Sequence, residues 1–431
     1  MKHALRIIAL IALAIPVRAE YKDTMDPNGP VKNLKTDYGL VDDNAQKNQS
    51  DTLQKAIDDI SAAGGGRLVL PKGVYRCSGI YMKSNVHLLI EKNTVIKPYW
   101  PKGEKTVAFT LSVPGRREKG HIENVSIRGM GGSFIIDYSD RTYAEGEGIR
   151  AVNCRQVRNF LLSDFVVKDN FTTYCAVIFT PAKPAEARNW EVFRPTDGLV
   201  KNCKSTNCRP GYGLVQMHAG KTIHFEHLSA TGGGVTLRLE TGAGGLNGGI
   251  HNITAKDICC EDGMSAVLLG PHKAQNGVVK VDGVEARGCA FGVQMGPGYV
   301  EAHNRDNPLY KPGVFADGTS VENIHVTFGT NAPVPLKHIG FVPKPYLKSL
   351  RPDPNDRKGK FARGPSVAAA MDRTGDSWNP TIKNLTSEGF TYNKGILTEQ
   401  DRRPGSFREL LKGLSILEAL PERQAKKARK R

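Results

Sequence analysis

Residues 214–220 of the chain are LVQMHAG, and three later segments align with them in phase: TLRLETG at 236–242, AVLLGPH at 266–272 and GVQMGPG at 292–298. In each segment apolar residues alternate with other residues, and side chains two apart on a strand lie on the same face. The alternation predicts a buried face made by Val215, Met217, Leu237, Leu239, Val267, Leu269, Val293 and Met295. The opposite face then carries Gln216, His218, Arg238, Glu240, Gln294 and, at a strand end, His272. If the segments stack as parallel strands about 4.8 Å apart, these polar side chains converge on one patch, which is the candidate active site.

The spacing of the four segments predicts how the chain connects them. They begin at residues 214, 236, 266 and 292, which are 22, 30 and 26 residues apart. Each interval contains a further short apolar strand, at 223–225, 251–253 and 279–281, and lacks the 3.6-residue period of a crossover helix. Two or three strands per repeat are typical of an all-β parallel β-helix, a solenoid. A β-sandwich is the minor alternative, because sandwich strands usually recur every 8–12 residues or so.

A second recurring signal is an asparagine followed by a short apolar strand. It occurs at Asn124, Asn159, Asn202, Asn252, Asn323 and Asn384. Asparagine tolerates left-handed backbone angles and bonds to neighbouring backbone groups. We therefore predict that these residues form tight corners of the coils.

The first 19 residues predict a cleavable secretory signal. Lys2 and Arg6 precede an apolar run at 7–16, and the segment closes with small and basic residues at 17–19. The run is too short to span a bilayer, and no later segment approaches the length of a membrane span. We expect cleavage near Ala19, a secreted or periplasmic protein, and no membrane partner.

The start of the mature chain predicts a helix against the first coil. Residues 51–63 place Leu53, Ala56, Ile57 and Ile60 on one helical face, and a strand, turn and strand follow at 67–75. A helix there can cover the open end of a solenoid, whose unpaired strand edges would otherwise aggregate. One β-helix domain is expected from about residue 35 to about residue 395.

Eight prolines between residues 300 and 362 interrupt the strand rhythm. They predict a long loop insertion that leaves the coils, and such loops often wall a binding cleft. Coils resume at 365–371 and 382–385. Beyond residue 404 we expect an amphipathic helix at 407–420 and a basic tail at 423–431, which is interpreted as a solvated end rather than a nucleic-acid arm.

The charge favours an anionic partner. The formal net charge is +17, and a clear excess of positive charge remains when the predicted signal and tail are left out. Clefts lined by one sign of charge concentrate oppositely charged ligands. An exported protein with excess positive charge is therefore expected to bind an anionic polymer. Nucleic acid is the weaker interpretation because no recognition module is present. Scattered surface basicity without an acidic ligand stays open, and a monomer is expected.

The cysteines and histidines do not predict a metal centre. The eight cysteines are Cys77, Cys154, Cys175, Cys203, Cys208, Cys259, Cys260 and Cys289. An even number in an exported chain permits disulfides, and Cys203 with Cys208 is the first pair to test. Several others occupy inward positions, where a thiol is an ordinary small apolar group. No Cys/His spacing is typical of zinc; no cofactor is identified, and a bound structural ion stays open.

Glu240 is the residue on the polar face best suited to acid catalysis. Cleaving a glycosidic bond needs a carboxylic acid to protonate the leaving oxygen and usually a second carboxylate as base or nucleophile. Burial would raise the pKa of Glu240, whereas Arg238 would lower it. A structural ion pair with Arg238 is an equally weighted alternative, and His272 alone would more often be a structural hydrogen-bonding residue.

Several motifs together resemble the iota-carrageenases, glycoside hydrolase family 82. The matching segments are residues 85–87, 95–98, 211–216, 233–241, 269–272 and 364–366. The start of the domain, at residues 38–43, is also similar. The resemblance covers most of the mature chain and is densest from Gly211 to His272. It implies a right-handed β-helix that hydrolyses β-1,4 bonds of a sulfated red-algal galactan with inversion. It also implies Glu240 as the acid, Gln216 as a supporting residue and His272 as an active-site histidine.

One position departs from the family pattern. The family's general base is the aspartate two residues after the acid, and this chain has Gly242 there. One interpretation is that a carboxylate from elsewhere, such as the loop insertion, supplies the base. The others are altered chemistry on a different sulfated galactan and binding without cleavage. We expect an active hydrolase, with a sulfated-polysaccharide binder as the main rival. A polysaccharide lyase acting on a uronic-acid polymer, with His218 or His272 as base and Arg238 neutralising the carboxylate, is a further alternative.

Overall fold

The chain winds into a right-handed parallel β-helix, in which successive coils add strands to two long parallel sheets. The computed structural model describes residues 21–115, 120–142, 144, 146–182, 194–241, 248–356, 358–405, 407–413 and 416. The predicted secretory signal and the basic tail lie outside the described residues.

The larger sheet runs the length of the solenoid. Its strands are β1 (Val31–Asn33), β2 (Gly66–Leu70), β3 (Val74–Arg76), β5 (Val86–Glu91), β6 (Val95–Lys97), β8 (Ile122–Met130), β9 (Phe134–Asp137), β11 (Val157–Lys168), β13 (Thr196–Thr206), β15 (Ala219–Thr231), β17 (Gly249–Glu261), β20 (Val279–Arg287), β23 (Ser320–Thr327) and β28 (Thr381–Glu388). Most of these strands pair with the strand one coil before and the strand one coil after, always in parallel.

The second sheet, which we call the cleft sheet, carries the candidate active site. Its strands are β4 (Ile80–Tyr81), β7 (Lys105–Leu111), β10 (Gly148–Cys154), β12 (Val177–Phe179), β14 (Val215–Met217), β16 (Val235–Glu240), β18 (Ser265–Gly270), β21 (Phe291–Met295), β27 (Ala368–Asp372) and β29 (Ile396–Leu397). They are stacked in chain order.

The four aligned segments are neighbouring rungs of the cleft sheet. Val215 pairs with Leu237, Leu237 with Val267, and Val267 with Val293. All eight residues predicted to face inward are at most 1% exposed. The predicted stacking and alternation are therefore confirmed.

The predicted asparagine corners are also confirmed. The six asparagines have φ between +50° and +58°, in the left-handed region. They form side-chain ladders between coils: Asn159 Nδ2 donates to Asn124 Oδ1 over 2.9 Å, and Asn124 Nδ2 donates to Asn85 Oδ1 over 3.0 Å. Each amide thus stabilises the corner of the next coil, which keeps the strands in register.

The predicted N-terminal helix is present as α1 (Ser50–Ala62). Its buried face is Leu53, Ala56, Ile57 and Ile60, as the helical period predicts. The helix packs against β2 and β4, and Gly64, Gly65 and Gly66 follow it with positive φ.

The insertion predicted at 300–362 is not continuous. Strand β23 lies inside that range but is a rung of the larger sheet, with Val321, Ile324 and Val326 at most 1% exposed. Two excursions therefore leave the coils, at 296–319 and 328–367. The eight prolines all lie outside this strand, so they mark the two excursions and not the rung between them.

The excursions have some structure of their own. The first contains a 3₁₀ turn at Ala302–Asn304 and a strand, β22 (Val314–Phe315), that pairs with β19 (Gln275–Asn276). The second contains an antiparallel sheet of β24 (Ala332–Pro335), β25 (Arg351–Pro352) and β26 (Phe361–Gly364), with 3₁₀ turns at Leu336–Phe341 and Lys344–Ser349.

Near the C-terminus, a 3₁₀ turn at Glu399–Asp401 precedes a short helix, α2 (Phe407–Leu411). The predicted helix at 407–420 is thus seen in its first part, and residues 417–420 lie outside the described residues. All eight cysteines are free, so the suggested bond between Cys203 and Cys208 is not formed. None of the described helices has the length and apolar character that crossing a membrane requires.

Candidate active site

The cleft sheet places the polar residues of adjacent rungs in line. Gln216 on β14 pairs with Arg238 on β16, and Glu240 pairs with Gly270 on β18. Because Val215, Met217, Leu237 and Leu239 point into the solenoid, the residues between them point out of it. Alternation alone therefore puts Gln216, Arg238 and Glu240 on the outer wall.

These side chains line a cavity of about 230 Å³. Its lining residues are Arg150, Tyr174, Tyr212, Gln216, His218, Arg238, Glu240 and His272. Five of the six predicted site residues are thus brought together. The sixth, Gln294, does not line the cavity; it lies two rungs beyond Arg238, is 4% exposed, and its Nε2 has no hydrogen-bond partner in the described part of the chain.

Both carboxylate oxygens of Glu240 are engaged. Oε2 forms an ion pair with Nη2 of Arg238, and Oε1 lies 3.0 Å from Nε2 of His272. Burial raises the pKa of Glu240, but the charges and hydrogen bonds of Arg238 and His272 outweigh it and hold that pKa well below its usual range. In the free protein Glu240 is therefore a carboxylate, and the ion pair expected as an alternative is formed.

Arg238 is itself fixed by the loop before β14. Its Nη1 donates to the carbonyl oxygen of Gly211 over 2.6 Å, and its guanidinium lies 5.3 Å from the centre of the Tyr212 ring. Its Nε is buried and has no partner among the described residues. A ligand oxygen entering the cavity would thus find a cation whose position is already set.

His218 is a neutral imidazole on the rung beside Glu240. Its Nδ1 lies 2.6 Å from the backbone carbonyl oxygen of Glu240, which can only accept, so Nδ1 carries the hydrogen. His218 is 8% exposed, and burial lowers its pKa to about 4. At neutral pH its Nε2 therefore has a free lone pair in the cavity.

His272 connects Glu240 to the first excursion. The hydroxyl of Tyr299 lies 3.1 Å from Nδ1 of His272, and the two ring centres are 4.8 Å apart. Burial and the charge of Glu240 raise the pKa of Tyr299, so the phenol keeps its proton and can donate to Nδ1. The hydrogen on His272 then lies on Nε2, which donates to Glu240.

The second excursion adds positive charge at the same place. Lys337, in the 3₁₀ turn Leu336–Phe341, is close enough to Glu240, Arg238 and Arg373 to interact with their charges. Loss of solvent lowers the pKa of Lys337, Glu240 raises it, and the two arginines lower it further. The second excursion therefore brings one positive charge within electrostatic range of Glu240.

A second carboxylate is absent from the described lining of the cavity. Gly242, at the position where the resembling family has its base, lies outside the described residues. Among the described residues no group of three or more His, Cys, Asp or Glu side chains could hold a metal ion. The described lining therefore offers one carboxyl group, two imidazoles and two arginines.

Three lining residues were missed by the sequence reasoning, namely Arg150, Tyr174 and Tyr212. Tyr212 is in a motif that carried the family resemblance, and the glycine on each side of it was a usable signal of close backbone packing. Arg150 and Tyr174 are on earlier rungs and carried no such signal.

No family model matches the chain. Similarity to known proteins is found with individual sequences and solved structures. The chain is 32% identical over 429 residues to a protein of Zobellia galactanivorans named iota-carrageenase, with 84% of this chain and 83% of that protein covered.

Two solved structures are similar over nearly the whole fold. One is described as a 1,3-alpha-1,4-beta-D-galactose-4-sulfate-3,6-anhydro-D-galactose-2-sulfate 4 galactohydrolase; its TM-score is 0.78 at 28% identity, covering 88% of this chain and 92% of that one. The other is an iota-carrageenase complexed to iota-carrageenan fragments, with a TM-score of 0.79 at 26% identity, covering 90% and 94%.

Proposed function

Because the chain belongs to the iota-carrageenase family, glycoside hydrolase family 82, we propose that it hydrolyses β-1,4 linkages of a sulfated red-algal galactan, iota-carrageenan or a close relative, with Glu240 as general acid. The observation that carries the proposal is the position of Glu240: it is the one carboxylate among the described residues lining the cavity. The cations around it suit a sulfated polymer.

The acid must gain a proton before it can act. In the free protein Arg238 and His272 keep Glu240 ionised. A bound sulfated sugar excludes water and brings negative charge next to Arg238, and both effects raise the pKa of a neighbouring carboxyl. His272 Nε2–H, 3.0 Å from Oε1, positions the carboxyl group by donating to it, and the proton that Glu240 gains as its pKa rises comes from solvent. Glu240 then protonates the leaving glycosidic oxygen.

Inversion requires a base that activates water on the other face of the sugar, roughly 6.5–9.5 Å from the acid in most inverting enzymes. Gly242 cannot supply it. A carboxylate of residues outside the described lining, less effective than one at residue 242 would be, is the source that we favour, and Gln216, which lines the cavity, is assigned to substrate support. Secretion, with cleavage of the signal near Ala19, completes the proposal, since a polymer of this size is degraded outside the cell.

The test is the release of reducing ends from purified iota-carrageenan, kappa-carrageenan and agar by the wild type and by Glu240→Gln. We expect release from a sulfated galactan by the wild type, a loss of about 10²–10⁴-fold in Glu240→Gln, and wild-type rates for the control Glu285→Gln, which lies on the larger sheet. Nuclear magnetic resonance should show the α-anomer as first product if the β-linkage is cleaved with inversion.

The rivals give different results. Binding of the polymer without release of reducing ends from any substrate would support a polysaccharide binder and end the hydrolase proposal. An unsaturated product that absorbs in the ultraviolet would indicate a lyase.

A further inference from the structure

Arg150 presents a guanidinium to the cavity, and no carboxylate of the described residues forms an ion pair with it. Its Nη1 donates to the carbonyl oxygen of Cys175 over 3.0 Å, and its guanidinium carbon lies 4.2 Å from the centre of the Tyr174 ring. Burial lowers the pKa of Arg150, but an arginine in a protein stays charged. A positive charge is therefore held in the cavity with hydrogen-bond donors to spare.

Other arginines nearby differ from Arg150 in this respect. Arg238 pairs with Glu240, Arg141 with Glu147 at 2.9 Å, and Arg209 with Asp356 at 3.6 Å. Within the described part of the chain, Arg150 has no ion pair of this kind. Burying a charge without a partner is costly, so an external anion is the natural counter-charge.

The backbone near Arg150 fixes the Tyr174 ring against the Arg150 guanidinium. Tyr174 has φ +130°, a conformation that side-chain-bearing residues rarely adopt. Its ring lies over Gly148, where an added Cβ would be 2.1 Å from a ring carbon. Glycine therefore makes room for the ring, and the ring in turn holds the guanidinium plane. Such preorganisation lowers the entropy cost of binding a ligand.

The position of Arg150 relative to Glu240 indicates which sugar of a bound polymer would contact it. Strand β10 is three rungs before β16 in the cleft sheet, roughly 14 Å along the solenoid at the usual rung spacing. Because the Arg150 side chain reaches the same cavity as Glu240, an anion bound to it belongs to a sugar beside the linkage that Glu240 attacks.

We propose that Arg150, held by Tyr174, is a subsite for a sulfate ester on a sugar beside the scissile linkage. The inference rests on the proposed function, because a sulfated galactan supplies the ester. One hydrogen of Nη1 is used by Cys175, and the donors on Nη2 and Nε remain to contact two sulfate oxygens in the bidentate geometry that guanidinium groups favour. Arg150 binds and orients; it does not act on the reacting atoms.

The experiment compares Arg150→Gln with the wild type on fully sulfated iota-carrageenan oligosaccharides and on the same oligosaccharides after partial desulfation. We expect KM on the fully sulfated substrate to rise by about 10- to 100-fold, with kcat changed less than about threefold. On the substrate that lacks the contacted sulfate, the variant and the wild type should have similar KM. Arg158→Gln, the same charge change on the larger sheet, should leave both KM values near those of the wild type.

A second measurement is independent of turnover. Calorimetric binding of the fully sulfated oligosaccharide to Glu240→Gln should weaken by a similar factor in Glu240→Gln/Arg150→Gln, with Arg150→Lys intermediate. If the wild type cleaves nothing, the proposed function fails, and this titration still decides the subsite. Circular dichroism melting identifies variants that do not fold, and Arg150→Lys then replaces Arg150→Gln in every arm.

Two results would overturn the inference. Equal loss on sulfated and desulfated substrates would mean that Arg150 has only a structural role. Stabilisation of the wild type, but not of Arg150→Gln, by sodium chloride or sodium sulfate, together with unchanged KM values, would mean that the site holds a free anion and not the sulfate ester of the polymer.

Discussion

Nε2 of His272 lies 3.0 Å from Oε1 of Glu240, although the two residues are 32 positions apart in the chain. The stacking of β16 on β18 brings them together, because Glu240 pairs with Gly270 and His272 follows two residues later. His272 has φ +48°, so the chain turns sharply at this residue. The backbone geometry of one turn thus sets the hydrogen bond of the proposed acid.

Replacing Tyr299 with phenylalanine should slow catalysis without weakening substrate binding. The change removes the hydroxyl that lies 3.1 Å from Nδ1 of His272, and His272 would then be free to adopt its other tautomer. A lost hydrogen bond of about 0.5–1.5 kcal/mol corresponds to a fall of roughly two- to tenfold in kcat. Steady-state kinetics should show KM unchanged, and Tyr392→Phe, at an exposed tyrosine that packs on Tyr346, is the matched control. A rise in KM with constant kcat would contradict this role.

Placing aspartate at residue 242 should increase the rate. Gly242 occupies the position at which the family resemblance implies a base, and an added carboxylate supplies general-base catalysis worth about 10²-fold or more when well placed. We expect kcat of Gly242→Asp to exceed that of the wild type at least about tenfold, whereas Gly242→Asn, of equal size and without a basic group, should not. Equal rates for the two variants would show that the base elsewhere in the protein is already as effective as a carboxylate at residue 242.

Acid should destabilise the fold through its buried histidines. Burial, aided by the charge of Arg128, lowers the pKa of His87 to about 4, whereas an exposed histidine titrates near 6.5. Between these values the unfolded chain binds the extra proton, so the free energy of unfolding falls as pH drops from about 6.5 to about 4. The loss is on the order of 3 kcal/mol for this residue.

Urea unfolding at pH 7 and pH 4.5 measures that loss. The variant His87→Asn keeps a hydrogen-bonding side chain opposite Ser126, which lies 2.9 Å from Nδ1 of His87, but does not titrate. Its stability should depend less on pH than that of the wild type. An identical pH dependence in both proteins would refute the assignment.

A methyl group at Gly198 should disturb the interior of the solenoid. Gly198 lies in β13, and an added Cβ would be 2.1 Å from the ring of Phe160 on the preceding coil. Overpacking of this kind costs about 1–3 kcal/mol. Thermal unfolding should show a lower Tm for Gly198→Ala, whereas Gly395→Ala, where nothing lies within 4 Å, should be close to the wild type. Similar Tm values for all three proteins would show that the coil relaxes freely.

The sequence predicts the solenoid well because its signal is periodic. The alternation at Val215 and Met217 recurs at Leu237 and Leu239. Aligning these residues predicts how neighbouring strands pair. The same alignment placed Gln216, Arg238 and Glu240 on one wall. Arg150 was not predicted, because its interest lies in having no ion-pair partner among the described residues and in the stacked ring of Tyr174. Periodicity reveals neither.

Gln294 was predicted to lie on the same polar face as Gln216. It repeats the Val-Gln-Met pattern of Gln216, yet it is two rungs beyond Arg238 and does not line the cavity. The excursion that leaves the coil directly after β21 changes what surrounds that rung. Local pattern predicted the direction of the side chain but not its neighbours in the finished fold.

The eight unpaired thiols have a practical consequence. Since no covalent cross-link joins the coils, folding needs no oxidising host and no isomerase. Recombinant production in the reducing cytosol of a bacterium should give active protein, and adding dithiothreitol should leave its Tm unchanged.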